Sequence, residues 1–289
     1  MTGGAAMRPG SADVRPSSLD ARQIDAFQRD GLLSPIPVLD PIACARYRHR
    51  FDEFAAAVGP GAEIAWMSNL HLHLGWCYDL VTQPRVLDVV QELIGPDILV
   101  LSSIVFVKEP GLGQFVSWHQ DSRYFRRDGR PLRALTAWIA LAPSSRRNGC
   151  LLALAGSHTQ GYVPHDLTYG GLNLLKRGDT ARAPIDESRV VAMTLETGEM
   201  SVHHIDTLHA SGVNEGTAAR VGVAVRYIDP ETALTIDHAP VVLARGVDAR
   251  GHHRRCDAGP SDDLGDGLAS LADAVAISAR TGTADPPRG

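Results

Sequence analysis

The sequence predicts a mainly β core, a barrel or a sandwich, with a cover of N-terminal helices. Apolar residues recur at helical spacing up to about residue 95, and short strand-like runs separated by Gly and Pro turns replace that pattern from Ile98 to about residue 228. The chain has 289 residues, enough for a single domain with a sizeable hydrophobic core. We therefore expect one domain over residues 19–230, with the helical cover at 19–95 and the β core at 98–230.

The helical cover is predicted from capping and turn residues. Residues 1–18 mix Gly, Ala, Pro and Ser without periodicity, so we expect a disordered arm. Ser18 is the expected cap of a first helix that ends near Gln28, and residues 32–39 resemble a strand. Two more helices are expected, one after Asp40-Pro41 and one between Gln83-Pro84 and Gly95-Pro96.

The β core is predicted to contain strands at residues 98–108, 115–121, 133–141, 150–154, 189–195, 200–206 and 219–228. The stretch from Gly156 to Ser188 is too long for a simple turn, and we expect it to fold over the open end of the core. Residues 231–289 carry a weak pattern. We expect a partly disordered C-terminal extension there, with at most one helix around Leu268 to Ile277.

Composition and charge exclude several classes of protein. The formal net charge of −5 and the ordinary apolar content give no reason to expect nucleic acid or a membrane surface as a partner. Apolar runs are too short to span a bilayer, and the N-terminus has no signal-peptide pattern. The four cysteines are scattered, without a C-x-x-C pair. We expect a cytoplasmic protein with reduced thiols that acts on a small molecule, as a monomer or homodimer.

His119, Asp121 and His209 are the predicted metal ligands. Two imidazoles and one carboxylate form the donor set of non-heme iron(II) oxygenases, which leaves other coordination positions open. If His119 and Asp121 lie on a strand, their spacing of two places both side chains on one face. His204-Ile205-Asp206 repeats the triplet, but His209 follows it too closely to come from a different strand.

Further motifs follow one another in a fixed order. They are Leu135-Thr136-Ala137-Trp138-Ile139, Asn148-Gly149-Cys150, Gly156-Ser157-His158, Gly198-Glu199-Met200-Ser201-x-His203-His204, His209-x-Ser211-Gly212-x-Asn214 and Arg220-Val221-Gly222-x-Ala224-x-Arg226-Tyr227. With His119-Gln120-Asp121, this set resembles the phytanoyl-CoA dioxygenase-like iron(II)/2-oxoglutarate oxygenases over residues 19–230. The resemblance implies a double-stranded β-helix, or jelly roll, whose open end holds iron(II), 2-oxoglutarate and O2.

The same resemblance implies a pocket for 2-oxoglutarate. Arg220 is the expected anchor, because a planar guanidinium matches a carboxylate in a bidentate fork. Ser211 and Trp138 match positions that line this pocket, and Lys108 is a weaker candidate for a polar contact at its other end. The implied reaction oxidises a substrate and releases succinate and CO2. Relatives that halogenate have a small residue in place of the carboxylate ligand, so Asp121 favours hydroxylation.

Two segments are candidates for substrate contact. Residues 66–78 carry polar-tipped aromatic side chains and histidines, among them Trp66, His71, His73 and Trp76, although the same residues could pack the helical cover onto the core. The arginine-rich stretch that starts at Arg123 and includes Tyr124 could attract an anionic group, or could be a solvated loop.

Two other functions fit the same sequence. One is a jelly-roll protein that binds a metal or a small molecule without catalysis, since this fold hosts binders and enzymes alike. The other is a cupin-like metal enzyme that does not use 2-oxoglutarate.

Overall fold

Two antiparallel sheets form the core of the computed structural model, which describes residues 19–59, 64, 67–125, 132–169, 171–175, 177–234 and 239–281. The strands are β1 Leu32–Pro37, β2 Ile98–Lys108, β3 Val116–His119, β4 Ala134–Ala140, β5 Leu151–Leu154, β6 His165–Leu167, β7 Asp179–Ala181, β8 Val190–Met193, β9 Glu199–His204, β10 His209–Ser211, β11 Arg220–Ile228 and β12 Val242–Arg245. The larger sheet has the order β1-β9-β4-β11-β2-β12, and the smaller sheet has the order β3-β10-β5-β8. The chain crosses repeatedly between the sheets from β2 to β11, as in a jelly roll, which confirms the predicted fold class.

The larger sheet has two different faces, because successive side chains on a strand point to opposite sides. On β11, Val221, Val223 and Val225 belong to the main hydrophobic core with the helices. The alternate residues Arg220, Ala224 and Arg226 line a pocket between the two sheets. The sheet therefore separates the helical cover from the pocket.

Five helices are described: α1 Ala21–Asp30, α2 Pro41–Val58, α3 Gly75–Val81, α4 Pro84–Ile94 and α5 Leu264–Thr281. The predicted starts of α2 and α4 are confirmed, with Pro in the first turn of each. The first helix is capped by Asp20 instead of the expected Ser18, because Asp20 and Gln23 form a reciprocal capping box. None of the helices among the described residues is long and apolar enough to cross a membrane.

The C-terminal part of the chain corrects the predicted domain boundary at residue 230. Strand β12 pairs with β2 at the edge of the larger sheet. Leu271 of α5 is buried in the main core, with Leu264 and Leu268 packed against it. These elements complete the same core, so the domain extends well beyond residue 230. Residues 1–18 and 282–289, which include the predicted arm, lie outside the described residues.

The insert between β5 and β8 packs against two residues of the pocket wall. Its strands β6 and β7 form a separate two-stranded sheet. Leu174 and Leu175 of the insert pack against Val116 and Phe106, two residues that line the pocket. The described part of the insert therefore lies against the pocket walls.

Candidate metal and co-substrate site

His119, Asp121 and His209 come together at one end of the pocket. Their potential ligand atoms all lie within 4.8 Å of one another, and all three side chains are buried. His209 of β10 pairs directly with His119 of β3 in the smaller sheet. Asp121 departs from the prediction that it shares a strand with His119, because β3 ends at His119 and Asp121 begins a 3-10 turn over Asp121–Tyr124. The turn still brings the carboxylate to 3.8 Å from His119 Nε2.

Both histidines are held in the orientation that a metal ligand requires. His119 Nδ1 lies 2.9 Å from the Ser117 carbonyl oxygen, and His209 Nδ1 lies 2.9 Å from the Thr207 carbonyl oxygen. A backbone carbonyl can only accept, so each Nδ1 donates and each Nε2 keeps its lone pair for a metal. Burial lowers the pKa of His119 to about 4 and that of His209 well below its ordinary value. The imidazoles are therefore neutral at neutral pH, the form that binds metals.

The Asp121 carboxylate is charged despite complete burial. Burial by itself would raise its pKa, but the Arg226 guanidinium and the neighbouring histidines hold the pKa well below its ordinary value. Arg226 Nη2 lies 2.5 Å from Asp121 Oδ1, and the Thr136 hydroxyl donates to Oδ2 over 2.5 Å.

Arg226 and Thr136 were not among the site residues predicted from the sequence. The alternation of side chains along a strand could have indicated both residues. Arg226 lies on the same strand face as Arg220, and Thr136 lies on the same strand face as Trp138.

The second H-x-D triplet lies away from the ligands. His203 lines the pocket, whereas its neighbour His204 is outside the lining and its ring contacts that of His158. Asp206 contributes a backbone carbonyl to the Gln120 side chain. Of the two triplets, only the first has both its histidine and its aspartate in the lining of the described pocket.

Arg220 lies at the pocket wall formed by β11 and is 2% exposed. The guanidinium carbon stands 4.9 Å from the centre of the Trp138 ring. One guanidinium nitrogen donates to the Gly149 carbonyl oxygen, and Nε has no hydrogen-bond partner among the described residues. Gly222 makes room for the Trp138 ring, since a Cβ atom there would lie 2.1 Å from Trp138 Cζ2. The guanidinium is thus oriented by its surroundings and retains donors for a ligand.

Ser211 lines the pocket, and Lys108 contacts it from behind. Lys108 Nζ donates to Ser211 Oγ over 2.6 Å and to the Gly212 carbonyl oxygen. Lys108 pairs with Arg220 across β2 and β11, which corrects our placement of Lys108 at the opposite end of the pocket. Burial, and then the charge of Arg220, lower the pKa of Lys108 to about 6.

Three of the predicted substrate residues lie on the helical side of the larger sheet, opposite the pocket. His71 Nδ1 is 2.7 Å from Ser103 Oγ, and Ser103 is three positions from pocket-lining Phe106 on the same strand, so the two point to opposite faces. His73 bonds Ser270 of α5, and Trp76 packs edge-on against Phe51 of α2. These residues join the helices to the sheet and do not line the pocket. Trp66 lies outside the described residues.

Tyr124 and Arg123 lie on the turn that begins with Asp121. The Tyr124 hydroxyl donates to Asp179 Oδ2 over 3.3 Å, and Arg123 Nε lies 3.1 Å from Asp179 Oδ1. Asp179 belongs to β7, so these contacts attach the insert to the turn that carries Asp121. Neither residue lines the pocket described above, and residues 126–131 of the arginine-rich stretch lie outside the described residues.

The pocket fits both a metal ion and a 2-oxo acid. Its lining residues are Phe106, Val116, His119, Asp121, Thr136, Trp138, Leu151, His203, His209, Ala210, Ser211, Arg220, Ala224 and Arg226. Two neutral imidazoles and a carboxylate suit iron(II). The buried cation of Arg220 and the Ser211 hydroxyl suit the far carboxylate of 2-oxoglutarate.

Comparisons with known proteins agree with this geometry. The family described as phytanoyl-CoA dioxygenase (PhyH) matches residues 27–222. The peroxisomal phytanoyl-CoA dioxygenase of Bos taurus is 30% identical over 155 residues, which cover 51% of this chain and 44% of that protein. The chain thus spans about half the length of the curated relatives it matches.

Solved structures share the fold over most of the chain. The non-heme monooxygenase ThoJ in its apo form has a TM-score of 0.74 at 29% identity, over 88% of this chain and 95% of that one. CytC3 with Fe(II) and alpha-ketoglutarate has a TM-score of 0.62 at 24% identity, over 84% of this chain and 94% of that one, and supports the fold. The family match covers more than half of the sequence and confirms the resemblance, so the chain belongs to the phytanoyl-CoA dioxygenase family.

Proposed function

We propose that this protein is an iron(II)- and 2-oxoglutarate-dependent oxygenase that hydroxylates an unactivated C–H bond of a small molecule. The observation that carries the proposal is the presence, in one buried pocket, of the His119–Asp121–His209 donor set and the Arg220 guanidinium. The first suits iron(II), and the second suits the co-substrate. The combination favours an oxygenase over a site that binds a metal alone.

Each residue has a definite task in this proposal. His119 Nε2, His209 Nε2 and an Asp121 oxygen would hold iron(II), which supplies the activation of O2. Arg220 and Ser211 would hold the far carboxylate of 2-oxoglutarate, with Trp138 as an apolar wall beside it. In the overall reaction one oxygen atom of O2 enters succinate, CO2 leaves, and the other oxygen atom becomes the hydroxyl group of the product.

In this proposal, the apolar side chains of the pocket wall would keep water away from the reacting groups. Phe106, Val116, Leu151 and Ala224 line it, and Leu174 of the insert packs against the first two. A dry pocket strengthens the interactions of the polar groups and suppresses side reactions. Binding of the substrate beside the metal would fix which C–H bond is attacked.

Asp121 favours hydroxylation over halogenation within this proposal. The carboxylate is buried, is charged, and lies within ligand distance of both histidines. It occupies the coordination position that a halide would need. The substrate class proposed here is therefore a small molecule that receives oxygen, and a natural-product intermediate is one candidate.

The test is an anaerobic titration of the purified protein with Fe(II) and 2-oxoglutarate. Wild-type protein should give a weak visible charge-transfer band, and His119→Ala should abolish it. His204→Ala is the matched control, because this histidine belongs to the second triplet but lies outside the pocket lining. A wild-type protein without the band, or an unchanged band in His119→Ala, would refute the site.

Turnover separates the proposed function from its alternatives. With a panel of candidate small molecules, the enzyme should release succinate in proportion to oxidised product. A non-catalytic binding protein would release none above background. A cupin-like enzyme would turn over without 2-oxoglutarate, and Arg220→Ala would then leave its rate nearly unchanged.

A further inference from the structure

The two oxygens of the Asp121 carboxylate have different partners. Oδ1 accepts from Arg226 Nη2 over 2.5 Å, and Oδ2 accepts from the Thr136 hydroxyl over 2.5 Å. His203 Nε2 lies 3.4 Å from Oδ2. All four side chains are at least 95% buried. Each oxygen therefore has one strong donor from the protein before any metal is considered.

The three partners form a single row across the larger sheet. Thr136 of β4 pairs with His203 of β9 on one side and with Arg226 of β11 on the other. Asp121 approaches this row from the turn that follows β3 of the smaller sheet. Because the row is fixed by strand register, its geometry does not depend on the turn that carries Asp121.

The chemistry of the row matches a carboxylate. A guanidinium and a hydroxyl group donate to separate oxygens, and charge-assisted hydrogen bonds of this kind are the strong ones. A carboxylate has about four lone-pair positions, of which these donors take one on each oxygen. Chelation of a metal through both oxygens would use the remaining lone pair of each and draw negative charge away from both donors, whereas binding through one oxygen leaves the contact of the other oxygen with its donor undisturbed.

We infer that the row of His203, Thr136 and Arg226, here called the carboxylate receptor, holds Asp121 as a one-oxygen ligand and thereby keeps a coordination position of the metal open. This inference rests on the proposed function, since an open position is what an oxygenase needs. Thr136 and Arg226 are positioning residues that act through Asp121. The receptor is a binding site for a small carboxylate even when the side chain of Asp121 is removed.

The first experiment removes the hydroxyl donor of Thr136 and keeps the size and shape of the side chain. Thr136→Val replaces the hydroxyl group with a methyl group, and Thr136→Ser is the control that keeps the hydroxyl group. Loss of a partner of a metal ligand typically weakens metal affinity about 10–100-fold. We expect the Kd for Fe(II), measured anaerobically in the presence of 2-oxoglutarate, to rise at least ~10-fold in Thr136→Val and to stay near wild type in Thr136→Ser.

A spectroscopic readout separates positioning from a general loss of structure. Near-infrared magnetic circular dichroism of the Fe(II) protein reports coordination number, which should increase in Thr136→Val as the released oxygen joins the metal. Thermal unfolding monitors whether the variant is folded. If wild type shows no iron band, the proposed function fails. If wild type binds iron and both Thr136 variants match it in Kd and spectrum, the receptor inference fails.

The second experiment leaves the receptor without its own carboxylate. Asp121→Gly removes the equivalent of an acetate ion, so added acetate should restore Co(II) or Fe(II) binding at least ~10-fold over the same protein without acetate, the scale expected for restoring a metal ligand's surroundings. The double variant Asp121→Gly/Thr136→Val should show no such response. Equal responses of the two variants, or no response in the single variant, would overturn the assignment of a carboxylate receptor.

Discussion

Replacement of Arg220 by Met should weaken 2-oxoglutarate binding far more than it destabilises the protein. The wild-type guanidinium is 2% exposed, lies 4.9 Å from the Trp138 ring centre, and donates to the Gly149 carbonyl oxygen, so its other donors face the pocket in a fixed orientation. Two charge-assisted hydrogen bonds to a carboxylate are worth about 1.5–3 kcal/mol each. At about 1.4 kcal/mol per factor of ten, their loss raises the Kd for 2-oxoglutarate at least ~100-fold.

The assay is the anaerobic titration of Fe(II)-loaded protein with 2-oxoglutarate, followed by its charge-transfer band. Arg220→Lys should fall between wild type and Arg220→Met, because lysine keeps the charge but loses the planar fork and the stack on Trp138. The Gly149 carbonyl oxygen loses its guanidinium donor in Arg220→Met, which costs about 1–3 kcal/mol of unfolding free energy. Arg189→Met is the control, since this exposed arginine also donates to a backbone carbonyl oxygen, that of Ala155, away from the pocket. A Kd within threefold of wild type in Arg220→Met would refute the anchor.

Three further predictions concern residues around the pocket and behind the sheet. Burial lowers the pKa of Lys108 to about 6, so its amine should gain a proton when the 2-oxoglutarate dianion binds beside Arg220. The Kd for 2-oxoglutarate should therefore rise with pH above 6 by up to ~10-fold per pH unit. Lys108→Met should flatten this slope. Gly222→Ala should push the Trp138 ring, raise the Kd for 2-oxoglutarate, and cost about 1–3 kcal/mol of unfolding free energy in a denaturant titration. Trp76→Ala should cost about 3–5 kcal/mol of unfolding free energy, while the Kd values for Fe(II) and 2-oxoglutarate stay unchanged.

Each of these predictions has a clear contrary outcome. A pH slope that persists in Lys108→Met would assign the proton uptake to another group. Gly171→Ala is the control for overpacking, because a Cβ atom there meets nothing within 4 Å. If Gly222→Ala behaved like that control, the close approach of Trp138 would not matter for co-substrate binding. If a fully stable Trp76→Ala protein lost substrate-dependent succinate release, we would conclude that Trp76 contacts the substrate.

The parts of the fold that were predictable have strong local signals. Helices α2 and α4 begin at Pro residues and are followed directly by Gly residues, and β2 and β11 are long runs rich in apolar and β-branched residues. The C-terminal part was not predictable in this way. Strand β12 has four residues, and its place is fixed by pairing with β2, a contact between distant parts of the chain. Propensity carries no information about such pairing.

Residue type and order were specific enough to predict that His119, Asp121 and His209 come together, whereas they did not indicate which face of the sheet residues 71–76 contact. His71, His73 and Trp76 have the same chemical character as substrate-binding residues, and only the tertiary arrangement assigns them to the helical side. Arg226 and Thr136 were missed although simple alternation from Arg220 and Trp138 points to them. What sequence could not supply is the register that aligns Arg226, Thr136 and His203 in one row.

The strand order of the jelly roll also constrains how the protein is made. The strand that bears His119 pairs with β10, and the strand that bears Lys108 pairs with β11. Neither pair can form until its partner strand has been synthesised, about a hundred residues later. Contacts so distant in the chain slow folding, because loop closure precedes any gain from pairing. During synthesis the chain emerges from its N-terminus onward, so His119 and Asp121 are exposed before His209 exists. The complete site can assemble only after β10 and β11 have been synthesised, and until then the nascent chain offers a metal ion an incomplete set of donors.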